Sequence, residues 1–220
     1  MRLSIPMKRA IQKLLRRSVA PVVKVRSSEV QGAGLGVFAT QPITKEDPVC
    51  FYPGVFSPGL PRALSDATYF GNTSLPSGVH PPEMNAYILN LKSTGGYLDG
   101  LATGGMTDNP VACAQLVNHN RQRQNVHVVS FWWYAVLDDM TSFDADDEFY
   151  RIPNQRRCDG APRFFHNNEM VYFEKHTTTH CAGAVLCASR DLADGEELYL
   201  DYGLQQPLPP WARGWYDSTM

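Results

Sequence analysis

Gly195-Glu196-Glu197-Leu198-Tyr199-Leu200-Asp201-Tyr202-Gly203, near the end of the 220-residue chain, is the stretch that decides the fold. Asp194-Gly195 has turn chemistry, because glycine takes positive φ without steric cost. Residues 198–202 alternate well enough for a short strand. Upstream, Gln115-Leu116-Val117-Asn118-His119 pairs an amide with an imidazole after an apolar approach. Earlier still, Gly32-Ala33-Gly34-Leu35-Gly36 is a tight turn that feeds Val37, Phe38 and Ala39.

The elements around these segments are short. Val22, Val23 and Val25 suggest a first strand, and Val49, Cys50, Phe51 and Tyr52 another, stopped by Pro53-Gly54. Residues 57–84 are rich in Pro, Ser and Gly and read as an irregular insert. Residues 85–91 and 96–101 suit two strands joined at Gly95-Gly96. Residues 126–137 are strongly β-like and apolar on both faces towards their end, which predicts one buried strand with Trp132 and Trp133 in the core. Residues 185–189 form a late strand. With 17 Gly and 16 Pro and no long helical pattern, the chain is expected to be mainly β with short helices.

Net charge is −2, but its distribution is uneven. Arg2, Lys8, Arg9, Lys13, Arg16, Arg17, Lys24 and Arg26 fall within residues 1–28, which hold no acid. The rest has twelve basic against 22 acidic side chains and would attract a basic substrate. Residues 1–20 suit an amphipathic helix capped by Ser4, with Pro6 in its first turn and Met7, Ile11, Leu14 and Leu15 on one face. Three readings of it stay open: a helix packed on the body, a mitochondrial presequence, or a nucleic-acid contact through residues 1–26. Asp138, Asp139, Asp144, Asp146, Asp147 and Glu148 form an acidic run, either solvated or a docking surface for a basic peptide.

The five cysteines form no C-x-x-C pair, which argues against a disulfide framework or a structural zinc and for reduced thiols inside a cell. Cys181 and Cys187 are expected in the core. His176 and His180 have i, i+4 spacing on a poor helix former, so no metal site is expected. No stretch approaches the roughly 20 apolar residues of a membrane span.

Taken together, four segments stand in the order of the SET-domain methyltransferases. Residues 32–39 resemble that family's G-x-G-x-G opening, Tyr52-Pro53-Gly54 its Y-x-G, residues 115–119 its R-F-x-N-H, and residues 195–203 its G-E-E-L-x-x-D-Y-G. Tyr97-Leu98-Asp99 is similar to its Y-x-I-D. The resemblance departs at Gln115, where the family has Arg, and after Asn118-His119, where Asn120-Arg121-Gln122-Arg123-Gln124-Asn125 replaces the S-C-x-P-N of N-H-S-C-x-P-N with the closing Asn one residue late. No cysteine follows Cys187, so the family's zinc-binding tail is missing.

The resemblance implies a β-clip of small sheets with a knot-like C-terminal crossing. It implies a basic extension at 1–20, a SET domain over 21–204 with an acidic insertion near 138–180, and an aromatic tail at 205–220. The implied activity is protein-lysine N-methyltransferase with S-adenosylmethionine as cofactor, on a lysine-containing and basic, histone-like protein, in nucleus or cytosol or, given the basic N-terminus, the mitochondrion. Tyr202 would be catalytic. Gly34, Leu35, Gly36, Asn118, His119 and Trp211 would hold the cofactor. Tyr52, Leu200, Trp215 and Tyr216 would line the lysine channel. Leu200, two before the catalytic tyrosine, would leave room for an already methylated amine. Glu197 and Asp201 would fix the crossing by hydrogen bonds. The rival reading is a catalytically silent SET-like peptide-binding module.

Overall fold

The computed structural model describes residues 3–57, 87–100, 109–137, 150, 152–156 and 181–203. Residues 58–84 of the insert, the acidic run, His176, His180, Trp211, Trp215 and Tyr216 lie outside them.

Helix α1 spans Ile5–Leu14, with the Ser4 side chain accepting the Met7 N–H and Pro6 in the first turn. Ile11, Leu14 and Leu15 are buried. Gln12 Nε2 donates to the Val136 carbonyl at 2.6 Å, and the Tyr150 N–H to the Leu15 carbonyl at 2.7 Å. The apolar stripe of α1 is therefore spent on the body.

Strands β1 (Val23–Ser27) and β2 (Leu35–Ala39) form an antiparallel hairpin. Strands β3 (Pro48–Tyr52), β8 (Val126–Trp132) and β10 (Ala182–Ala188) form a three-stranded antiparallel sheet with β10 in the centre. All seven residues of β10 are buried, as expected for a central strand covered on both faces. Strands β4 (Gly54–Ser57), β5 (Ile88–Asn90), β6 (Tyr97–Asp99) and β9 (Asn154–Arg156) form a mixed sheet in the order β5-β6-β4-β9. Two-residue strands β7 (Asn118–His119) and β11 (Tyr199–Leu200) pair in parallel. The mainly β expectation holds, with small sheets and few helices.

Two local expectations are corrected. Residues 126–137 are not one strand: after Trp132 the chain turns into helix α2 (Trp133–Leu137). Trp133 and Val136 are fully buried at i, i+3 spacing, a helical period hidden inside a uniformly apolar run. Pro53-Gly54 is not a stop either, since β4 begins at Gly54. There a Cβ would fall 2.9 Å from Gly100 N and press on the Asp99 carbonyl, so only glycine lets β4 run past the end of β6. This close approach ties the Tyr52-Pro53-Gly54 and Tyr97-Leu98-Asp99 motifs into one structural unit.

Cys50, Cys113, Cys181 and Cys187 are buried and free. Trp133 lies in the core, and Trp132 is half-buried against it.

Candidate active site

The tail reaches the site by following β2. Gly195 N–H donates to the Ala39 carbonyl at 3.0 Å, Ala39 N–H to the Glu196 carbonyl at 2.9 Å, and Leu198 N–H to the Val37 carbonyl at 2.8 Å. It then pairs with β7, setting Tyr199 opposite Asn118 and Leu200 opposite His119. Asn125, 1% exposed, locks this arrangement. Its Oδ1 accepts the Tyr199 N–H at 2.7 Å, and its Nδ2 donates to Glu196 Oε1 and the Glu197 carbonyl, both at 2.9 Å. The late closing asparagine of the sequence motif thus holds the tail.

Tyr202 follows directly. Its Oη donates to the Val117 carbonyl at 2.9 Å, and its N–H donates to His119 Nδ1 at 3.1 Å. The two rings lie 5.2 Å apart. Burial pushes the Tyr202 phenol above its ordinary pKa, with Tyr87 adding to the shift. At neutral pH the group is therefore a hydroxyl and cannot serve as a base. Burial holds His119 below its ordinary value, against the pull of Asp201. His119 Nδ1 stands 3.1 Å from the Tyr202 nitrogen and 3.2 Å from the Leu200 carbonyl oxygen, accepting from the first when its proton is on Nε2 and donating to the second when it is on Nδ1. The imidazole is thus a backbone hook for Tyr202.

Asn118 joins Tyr202 to the glycine turn. Its Nδ2 lies 3.0 Å from the Leu35 carbonyl, 3.0 Å from Ser28 Oγ and 3.1 Å from Glu197 Oε1. Glu197 is buried and also accepts from Ser28 Oγ at 2.6 Å, the Glu29 N–H at 2.9 Å and Tyr199 Oη at 2.8 Å. Burial alone would raise its pKa, but these donors outweigh burial and hold it below the ordinary carboxylate value. A Cβ on Gly36 would overlap Glu197 Oε1 and lie 3.3 Å from Asn118 Nδ2, so the third glycine of the turn makes room for this network. Gly34 has φ +74° and open space above it, with nothing within 4 Å of where a Cβ would stand.

A tyrosine cluster stands beside Tyr202. Tyr52 is 6% exposed, and burial, reinforced by Tyr202, Asp99 and Tyr87, raises its phenol well above the ordinary value. The Gly100 N–H donates to the Tyr87 carbonyl at 2.9 Å, and a Cβ on Gly100 would lie 3.2 Å from the Tyr52 ring. Leu200 is 7% exposed and packs into the core, with its carbonyl accepting the Asn120 N–H at 3.3 Å. Asp201 caps the Gly203 N–H at 2.9 Å and lies 3.7 Å from Arg121 Nε.

Leu35, Asn118, His119 and Tyr202 are thus joined by hydrogen bonds, with Gly34 and Gly36 flanking Leu35 and Tyr52 near Tyr202. Ser28, Tyr87 and Asn125 belong to the same neighbourhood and were not among the expected site residues. A separate apolar hollow of about 280 Å³ lies between β1 and residues 109–116, lined by Val23, Val25, Pro110 and Leu116 among others, and contains none of the expected site residues. Among the described residues, no group of three or more His, Cys, Asp or Glu could hold a metal ion.

The SET-domain family model matches residues 34–203, most of the chain. The chain belongs to the SET-domain family. No curated protein sequence matches it significantly. Among solved structures, this SET-domain chain is similar to the Chaetomium thermophilum polycomb repressive complex 2 (16% identity, TM-score 0.42, covering 89% of this chain and 17% of that one). It is also similar to an autoinhibited form of that complex bound to S-adenosylmethionine (15% identity, TM-score 0.41, 85% and 16%). A third is KRYPTONITE in complex with mCHG DNA and S-adenosylhomocysteine (16% identity, TM-score 0.41, 84% and 24%). The SET-domain chain therefore spans less than a quarter of the length of each of these proteins.

Proposed function

We propose that this chain is a protein-lysine N-methyltransferase using S-adenosylmethionine. The observation that carries the reading is the continuous link from Tyr202 Oη through the Val117 carbonyl and Asn118 to the Leu35 carbonyl in the glycine turn. The residues present fit such a cofactor. Gly34 leaves open space for close backbone approach. Asn118 Oδ1 accepts no hydrogen bond among the described residues and is available to an ammonium group.

When bound, the cofactor supplies an electrophilic methyl on a sulfonium. Gly34, Leu35, Gly36 and Asn118 hold its amino-acid end, and the His119 backbone and Trp211 the adenine. Tyr202 orients the incoming amine through a neutral hydroxyl whose own proton is engaged by the Val117 carbonyl. The amine must arrive uncharged, from a reference pKa near 10.4. Burial among Tyr52, Tyr87 and Tyr202 disfavours the ammonium and promotes that deprotonation. Positioning is the main catalytic contribution, and favourable near-attack geometry removes roughly 7–11 kcal/mol of barrier.

The acidic balance of residues 29–220 supports a basic, histone-like protein substrate. The free buried thiols fit a reducing compartment, nucleus or cytosol. Trp215 and Tyr216 complete the lysine channel, and Leu200 leaves it open to methylated amines.

Radiolabelled methyl transfer to histones and to cell extract, with wild type beside Tyr202→Phe, tests the reading. Label on a lysine of a protein substrate, lost in the variant, supports it. Wild type that shows no S-adenosylmethionine binding by calorimetry favours the silent binding module.

A further inference from the structure

The Glu197 carboxylate is 1% exposed and receives four donors: Ser28 Oγ, Asn118 Nδ2, the Glu29 N–H and Tyr199 Oη. A buried carboxylate is costly unless its lone pairs are used in this way. Beyond bracing the tail, its place fixes which end of the Asn118 amide faces outward. The nitrogen end has two hydrogens and three acceptors around it: Leu35 O, Ser28 Oγ and Glu197 Oε1. Two of these, the carbonyl and the carboxylate, can only accept. Nδ2 must therefore point inward, and Oδ1 is left as the outward acceptor.

We propose that Glu197, with Ser28, is a positioning residue for the methyl donor, holding Asn118 so that its carbonyl oxygen receives the ammonium of the donor's amino-acid end. The inference rests on the methyl-transfer reading above and deepens it. Glu197 touches no ligand itself; it acts through Asn118.

The geometry also says what an amide at this position would do. In Glu197→Gln, the oxygen of the new carboxamide must face the Glu29 N–H, because a backbone amide can only donate. Its nitrogen then faces Ser28 Oγ, which can accept, and Asn118 Nδ2, which cannot. The Asn118 nitrogen loses its carboxylate acceptor and meets the new amide nitrogen instead, while the Leu35 carbonyl still holds it inward, so the amide is displaced and its carbonyl oxygen leaves the place where the ammonium is received. The defect is specific to ligands that carry that ammonium.

Calorimetric titration of the full chain with S-adenosylhomocysteine and with 5′-methylthioadenosine, which lacks the amino-acid end, tests this. E197Q should weaken S-adenosylhomocysteine binding by about tenfold or more, as loss of a charge-assisted contact does, and leave 5′-methylthioadenosine unchanged. Should E197Q not fold, Ser28→Ala replaces it, with the same selectivity and a smaller loss of about threefold. Equal weakening of both ligands would mark a merely structural role and overturn the proposal, as would no weakening of either. Wild type that takes up neither ligand would overturn the methyl-transfer reading itself and this inference with it.

Discussion

Gly36→Ala isolates the contact on which the site's assembly depends. The backbone at Gly36 lies outside the left-handed region, so alanine meets no φ penalty there. The whole cost is contact: the new methyl overlaps Glu197 Oε1, and lies 3.1 Å from Glu197 Cδ and 3.3 Å from Asn118 Nδ2. Overpacking of this kind costs about 1–3 kcal/mol. If Glu197 swings away, it also forfeits charge-assisted hydrogen bonds worth about 1.5–3 kcal/mol each. A total near 4 kcal/mol corresponds to a fall in Tm of roughly 8–16 °C for a chain of this size. Gly34→Ala is the matched control. It has open space but φ +74°, and so incurs only the left-handed penalty of about 1–2 kcal/mol. Urea unfolding of the three proteins reads the difference. A Gly36→Ala variant as stable as Gly34→Ala, or more so, would refute the packing of Glu197 against the glycine turn.

Asn125→Ala should cost about 2–4 kcal/mol, since it leaves the Tyr199 N–H and the Glu197 carbonyl buried without their partner; thermal unfolding measures it. Stability should be flat near pH 7–9 and fall on both sides. Glu197, held below its ordinary value of 4.5, contributes stability that is full above that value and is lost as pH falls through its folded pKa. His119, held below 6.5, adds a loss that begins as pH falls past 6.5. Tyr52 and Tyr202, both raised above 10.0, contribute stability that is lost as pH climbs beyond that value. Urea midpoints measured across this range check the profile, and E197Q should remove part of its acid limb. Mass spectrometry of exhaustively modified substrate should show di- or trimethyl-lysine, and Leu200→Tyr should restrict the product to monomethyl-lysine.

The parts of the fold visible in the sequence are those whose signal is local. Ser4 and Pro6 announce the start of α1, Gly95-Gly96 the β5–β6 hairpin, and residues 195–203 the tail that carries Tyr202. What escaped depends on partners far along the chain. Helix α2 hides in an apolar run because its outward residues, exposed Tyr134 among them, are apolar too, so the helical period of buried Trp133 and Val136 does not show. The parallel pairing of β4 with β9 joins residues 54–56 to 154–156, and nothing in Pro53-Gly54 foretells it. Ser28 lies 169 positions from the carboxylate it bonds, and no local pattern distinguishes it from Ser27. Tyr87 follows a Pro-rich insert, and its carbonyl is drawn beside the site by the N–H of Gly100, a residue 13 positions away with the Tyr52 ring against it. Asn125 stands out in the sequence as a displaced motif residue, and its clamp on Tyr199 lies 74 positions away.

The most direct test of the account is a crystal structure of the chain with S-adenosylhomocysteine. The ligand's ammonium should sit at Asn118 Oδ1, its amino-acid end over Gly34, and the Tyr202 hydroxyl should face its sulfur. Density for the ligand anywhere else, or an Asn118 amide turned nitrogen-outward in the complex, would contradict it.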